Sequence, residues 1–192
     1  DTSVGSSITL ADADGFVVND GGTMKTIPAT DIPTYVGGGI TEVDMWRVTA
    51  NFAGNVDVTA NWERVDTNFD KIGTGIGESS GIFTFPSTGI YEIDAHTTVY
   101  QASWETTGGL RGYTSTDTGS SFSAAAETYF TIAEDPDATT TGYATGDFKV
   151  ILDVTNISTF QFKINILNTN STVYGNSSKN YTYITFKKLG DT

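Results

Sequence analysis

The chain has no cysteine. That excludes a disulfide scaffold, thiolate metal sites and a cysteine nucleophile. Histidine occurs once, at His96, so no chemistry that needs two histidines is available. Cations are few: 10 Lys and Arg stand against 23 Asp and Glu, for a net charge of −13. The basic footprint of a nucleic-acid binder is missing, as is the one that would draw the chain to an anionic membrane. The same charge keeps copies soluble and repels them from one another. Proline is held to 4 residues and leucine is scarce. No apolar run approaches the ~20 residues of a membrane-spanning helix. The chain opens DTSVGSSITL, with neither a Met nor a basic and apolar signal region, so a processed N-terminus or a fragment is expected.

What is present points to strands. The 192 residues include 21 Gly, and 12% are aromatic. Abundant Thr, Tyr, Phe and Val suit a pleated surface. A domain of this size buries roughly 70% of its unfolded surface and holds a core without staples. Period-two alternation recurs. Tyr91, Ile93, Ala95, Thr97 and Val99 share one face, with Glu92, Asp94, His96 and Thr98 opposite. Phe160 to Ile166 alternates most clearly, Phe148 to Val154 does the same, and Trp46 to Phe52 reads as one further strand. These are half-buried antiparallel strands. No 3.6-residue pattern is sustained, and Ala124-Ala125-Ala126 is too short to make one. Turn signals fall at Ala53-Gly54-Asn55, Gly73 to Gly77, Pro86 to Gly89, Gly108-Gly109, Asp117-Thr118-Gly119, Asp135-Pro136-Asp137, Thr145-Gly146-Asp147 and Gly175-Asn176. Many short strands with regular turns predict a sandwich or jelly roll.

Residues 1–39 differ in character. Phe16-Val17-Val18 and Met24-Lys25-Thr26-Ile27 flank Asn19-Asp20-Gly21-Gly22, a hairpin with turn residues that tolerate positive φ. Thr30 or Asp31 is placed to cap one helical turn over Pro33 to Val36, which Gly37-Gly38-Gly39 would stop. A lone hairpin is marginal in water. The segment is therefore read as a docking arm, with Phe16, Val17, Val18, Met24, Ile27 and Tyr35 as its contact residues. The glycines form a hinge, and residues 40–192 form the head.

One corner carries a family resemblance. Phe83, five residues and then Gly89-Ile90-Tyr91-Glu92-Ile93, with Pro86 three before the Gly, resembles the signature of the complement-q globular head. That family shares a ten-stranded jelly roll with tumour necrosis factor. Trp62 followed by Asn68, and Tyr181 to Phe186, resemble its other elements, with Ile93 where the family carries Phe. The resemblance covers roughly residues 45–189. It implies a homotrimer with an apolar three-fold contact, and it makes Phe83, Pro86, Gly89, Tyr91 and Ile93 the structural signature. Gly89 is expected where a Cβ would not fit. Gly108, read as part of a polar loop, is expected to tolerate substitution better. A narrower set resembles virion proteins of tailed phages: the Gly15-to-Thr23 hairpin, Pro33-Thr34-Tyr35-Val36-Gly37, Asp44 to Thr49 and Asn61 to Asp66.

Candidate chemistry is sparse. Glu92 and Asp94 lie two apart on one strand face, about 6–7 Å by strand rise, a separation that overlaps glycosidase pairs. A solvated strand face accounts for them as well, and His96 reads as structural. Asp12, Asp14, Asp20 and Asp31, and the loop Glu134, Asp135 and Asp137, offer oxygen ligands of the kind Ca²⁺ takes. None follows a calcium-loop spacing, so no cofactor is expected. The matches to the N-glycosylation pattern at Asn156, Asn170, Asn176 and Asn180 lie in Asn- and Ser-rich loops. Trp46 and Trp62 fall in strand patterns. Trp104, near a strand end, is the candidate ligand contact.

The expected protein is not an enzyme. It is a capsid decoration or cement protein at the virion surface: a trimeric jelly-roll head that docks on a capsid or fibre protein through residues 1–39. A tail-fibre tip recognising a host-surface glycan is the alternative, and a bacterial adhesion module a third.

Overall fold

The computed structural model describes residues 14–31, 39–67, 69–101, 105–132, 142–168 and 170–192. Contacts divide the chain into Asp1–Gly39 and Ile40–Thr192. In the first unit β1 (Gly15–Asp20) pairs antiparallel with β2 (Thr23–Pro28). Both central turn residues, Gly21 and Gly22, lie at positive φ, 60° and 90°, as the strand twist of a two-residue hairpin demands. The Asn19 side chain accepts the Gly22 N–H at 2.8 Å. A 3-10 turn follows at Ala29–Asp31. The helical turn expected over Pro33 to Val36, and Tyr35 with it, lies outside the described residues.

The second unit is an antiparallel β-sandwich with no helix among its described residues. Its strands are β3 (Val43–Val48), β4 (Phe52–Ala53), β5 (Val56–Asp57), β6 (Trp62–Arg64), β7 (Gly77–Ser79), β8 (Ile82–Thr84), β9 (Gly89–Gln101), β10 (Glu105–Ser115), β11 (Ser123–Ile132), β12 (Gly142–Val154), β13 (Gln161–Leu167), β14 (Thr172–Val173) and β15 (Tyr183–Gly190). One sheet runs β11-β10-β13-β8-β7, with β5 also on β13. The other runs β4-β14-β9-β15-β3-β6, with β12 also on β9. Neighbours are mostly non-consecutive, so the chain crosses between sheets repeatedly, as a jelly roll does.

The core lies between the sheets. Phe83, Leu110, Phe162, Ile164 and Ile166 from the first meet Val48, Tyr91, Ile93, Ala95, Val99, Ile184 and Phe186 from the second. The alternation read in β9 and β13 matches the burial pattern residue by residue. Each such side chain, fully buried, contributes roughly 1.5–3 kcal/mol.

Three sequence expectations fail here, each for a packing reason. Trp46 to Phe52 is not one strand. β3 stops at Val48, where the Thr49 N–H turns to the Asn61 carbonyl at 2.8 Å. Gly108-Gly109 and Thr145-Gly146-Asp147 are not turns. They lie inside β10 and β12. Phe130 on β11 explains both. A Cβ on Gly108 would strike one edge of its ring, and a Cβ on Gly146 would come within 2.7 Å of another part. The two glycines make room for an aromatic wedge that closes one side of the sandwich.

A buried charge sits where alternation predicted nothing. Asp44 is 1% exposed. It accepts from Arg64 Nε at 3.0 and 3.1 Å, from the Ile76 N–H at 2.7 Å and from Trp46 Nε1 at 3.2 Å. The Arg64 guanidinium also lies over the Trp46 ring, 4.6 Å from its centroid, and Arg64 donates to the Ile76 carbonyl at 2.8 Å. One carboxylate thus ties β3, β6 and the loop before β7 together.

The Asp117 loop is tied differently. Ser121 Oγ donates to its carboxylate at 2.6 Å, Ser115 Oγ at 2.7 Å and the Ser121 N–H at 3.0 Å. These bonds, Ser121 first, pull the Asp117 pKa down to about 2. A carboxylate whose folded pKa lies below its unfolded value stabilises the fold above the unfolded pKa and loses that effect as pH falls through the folded one. The Ser121 amide is therefore expected to lose exchange protection between about pH 4 and pH 2. Protection in an Asp117→Asn variant should show no such step. A step of equal size in both proteins would assign the transition to another group.

Candidate functional surfaces

The signature residues gather at one corner. Phe83, Tyr91 and Ile93 are fully buried and Phe85 nearly so. The Phe85 and Tyr91 rings meet edge to face at 4.9 Å, and Phe83 contacts Phe186 at 5.2 Å. The buried Tyr91 hydroxyl needs a partner, and donates to the Ser87 carbonyl at 3.1 Å. Half-buried Pro86 sets the corner. Gly89 then leaves it at φ 143°, with the Gly190 carbonyl oxygen 2.6 Å from where a Cβ would be. The corner is structural: it turns the chain from β8 into β9.

The hairpin presents apolar side chains on both faces. Register puts Phe16, Val18 and Ile27 on one side, Val17 and Met24 on the other. Val17 is 63% and Met24 64% exposed, and Phe16 is exposed as well. Lys25 pairs with Asp20 near the turn. Trp104, Asp12, Glu134, Asp135 and Asp137 lie outside the described residues. Among those described, no three His, Asp or Glu side chains gather to hold a metal.

Each sheet of the sandwich turns one face outward. On the second sheet that face has two halves. In one, Glu92 takes Lys187 at 3.0 Å and Lys149 at 3.4 Å, and Asp94 takes Lys149 at 3.3 Å. The Lys187 bond holds the Glu92 pKa below the usual carboxylate range. The carboxylates read as a candidate glycosidase pair are thus a surface ion-pair network. In the other half aromatic rings collect. His96 stacks on Tyr183 at 5.3 Å, Tyr174 stacks on Tyr181 at 4.2 Å, and Tyr100 packs on Tyr174 at 5.4 Å and Tyr143 at 6.0 Å. Burial, then the nearby Asp94 and Asp147, push the Tyr183 pKa up. Tyr143 is 63% exposed. Periodicity places His96 on this face. The cluster itself needs β9, β12, β14 and β15 side by side.

On the first sheet the outward face is polar. Register aligns Glu127, Arg111, Asn165 and Asp57 in one row across β11, β10, β13 and β5. Arg111 pairs with Glu127 at 3.7 Å, and Lys163 with Asp57 at 2.7 Å. Asn165 Nδ2 donates to Asp57 at 3.1 Å. Rings flank the row: Tyr129 beside Arg111, and Tyr113 and Phe122 beside Lys163. At the Asp57 end opens a cleft of about 240 Å³, lined by Phe52, Val56, Asp57, Thr59 and Asn61. Nothing in the sequence joins these residues into one row, and Gly108-Gly109 reads there as a turn.

No protein-family model matches the chain, and no curated protein matches it. Solved structures do. The chain is similar to murine APRIL at pH 5.0, with 17% identity and a TM-score of 0.50, over 77% of this chain and 98% of that one. It is also similar to Eiger TNF from S. frugiperda, with 8% identity and a TM-score of 0.56, over 80% and 96%. The head is therefore a jelly roll of the tumour-necrosis-factor type.

Proposed function

We propose that the protein is a virion surface protein, a capsid decoration or cement protein of a tailed phage, with residues 1–39 docking on the shell and residues 40–192 forming a trimeric head. The observation that carries this reading is the hairpin. It exposes Phe16, Val17 and Met24, and a two-stranded hairpin in water is marginal at best. Large exposed apolar side chains on a small element mark a contact surface. A partner that covers both faces and joins the two-stranded edge gives the arm the stability it lacks alone.

The head trimer is implied by the family resemblance. The aromatic half of the second sheet's outward face is the contact that suits it. Tyrosines supply large contact area at little loss of side-chain freedom. With −13 on every subunit, a contact built on rings keeps like charges apart. The ion-paired half, with Glu92 and Asp94 neutralised by lysines, continues the same face.

The test compares particles assembled with the full chain and with residues 40–192. The full chain is expected on the head shell in many copies. The truncated head is expected to sediment at three times its chain mass, to keep its strand signal, and to be absent from particles. A truncated head that still decorates the shell would move docking elsewhere. A full chain found only at the tail tip, in few copies, would support a receptor-binding tip instead. That second reading draws on the polar, ring-flanked face of the first sheet.

A further inference from the structure

We propose that the outward face of the first sheet, from the cleft beside Asp57 to Tyr129, binds a neutral oligosaccharide. The argument starts from charge. The face holds cations, but each is matched: Arg111 by Glu127 and Lys163 by Asp57. A phosphate backbone or a sulfated chain needs unmatched cations, and this row has none to spare. A protein partner of ordinary kind needs an apolar centre with a polar rim. Here the order is reversed, with polar side chains in the centre and rings at the flanks.

That order suits a sugar chain. A pyranose has an apolar C–H face for stacking on an aromatic ring and an edge of hydroxyls for planar side chains. Tyr129 is 55% exposed, and Tyr113 and Phe122 are half-buried. Tyr129 pairs in register with Gly109, and Tyr113 lies four residues along the same strand. The two rings are thus about 13 Å apart by strand rise, a span for a short oligosaccharide rather than a single sugar. Between them stand a guanidinium, an amide and carboxylates, all planar and able to engage hydroxyl pairs. The bonds of Arg111 Nη2 to the Tyr129 hydroxyl at 3.3 Å, of that hydroxyl to Glu127 at 2.8 Å, and of Asn165 to Asp57 hold these groups before any ligand arrives. Such preorganisation lowers the cost of binding.

A further observation points to the same place. Arg111 Nε, a donor 3.7 Å from Glu127 Oε1 and so beyond hydrogen-bond reach, and Asn165 Oδ1, an acceptor, sit on paired residues and make no hydrogen bond within the protein. Both are shielded from solvent, so the unmade bonds are costly. One hydroxyl, accepting from Arg111 and donating to Asn165 after a small side-chain shift, serves both. At the end of the row, Asn61 lines the cleft at φ 64°. Asn is the non-glycine residue that adopts this conformation most readily, as the turn into β6 requires. The cleft, which shares Asp57 with the row, has room for one terminal sugar.

This inference is independent of which particle, if any, the arm anchors to. The test uses the full chain on an immobilised array of oligosaccharides several units long, with neutral, sialylated and sulfated arms. At least one neutral oligosaccharide is expected to retain the protein. The Tyr113→Ala/Tyr129→Ala double variant should weaken retention about tenfold or more with its strand signal and sedimentation unchanged. Asn165→Ala should weaken it as well. Asp191→Ala, just past β15 and 91% exposed, should leave it intact. Retention by charged oligosaccharides alone, by none, or equally by the double variant would each overturn the proposal.

Discussion

Replacing Asp44 with alanine is expected to cost the head about 3–5 kcal/mol, the range for removing one partner of a buried ion pair. The value should fall toward the lower end, because the Arg64 side chain is 31% exposed and can recover part of its hydration. The loss is nonetheless broad. The Ile76 N–H, Trp46 Nε1 and Arg64 all lose their acceptor at once, and a buried donor left unmatched costs about 1–3 kcal/mol. Asp44→Asn keeps an oxygen for Ile76 and should cost less. Asp191, whose side chain is 91% exposed and pairs with Lys188, provides the control, since an exposed pair is worth about 0–1 kcal/mol. Urea unfolding of the three variants checks the order. An Asp44→Ala head within about 0.5 kcal/mol of the parent would mean that β3, β6 and the loop before β7 are held by something else.

A Gly89→Val head is expected to be the least stable of a series that includes Gly108→Val and Gly190→Val. At Gly89 the new side chain meets a backbone carbonyl and the Lys188 side chain at φ 143°. The carbonyl cannot swing aside. Conformational strain of about 1–3 kcal/mol adds to overpacking of similar size. At Gly108 the obstacle is the ring of Phe130, which is half-buried and can rotate out at the loss of its packing, for about 1–3 kcal/mol. At Gly190 nothing lies within 4 Å of the added Cβ, and little change is expected. Thermal melting ranks the three. A Gly108 variant that melts like the parent would remove the aromatic wedge from the account of how β11 closes on β12.

That ranking turns on what each glycine faces. From sequence, Gly108 belongs to a polar loop, because paired glycines between polar residues are a turn signal. In the fold it lies in a strand, and its partner Phe130 is 22 residues away in the chain. The same applies to Gly146. A glycine that turns the backbone and a glycine that admits a ring look identical in one dimension. β10 and β11 carry little alternation for the same reason: Gly108, Gly112 and Ala126 interrupt the inward-facing Leu110, Phe130 and Ile132.

What the sequence determined alone is what depends on neighbours two residues apart. The all-β class, the faces of β9, β12 and β13, the hairpin with its Gly21-Gly22 turn, and the Pro86-to-Gly89 corner all follow from local alternation and from backbone preferences that each residue carries with it. What only the tertiary structure decided is what depends on strand order. Asp57 and Lys163 are 106 residues apart and share an ion pair because β5 lies on β13. Tyr100, Tyr143, Tyr174 and Tyr181 form one cluster because β9 is flanked by β12 on one side and by β14 on the other. Asp44 can be buried only because Arg64 and the Ile76 amide arrive from two other segments. Hydrophobic patterning tells a residue which way to face. It does not say which other face it will meet, because that is settled by the sum of weak contacts over the whole sandwich.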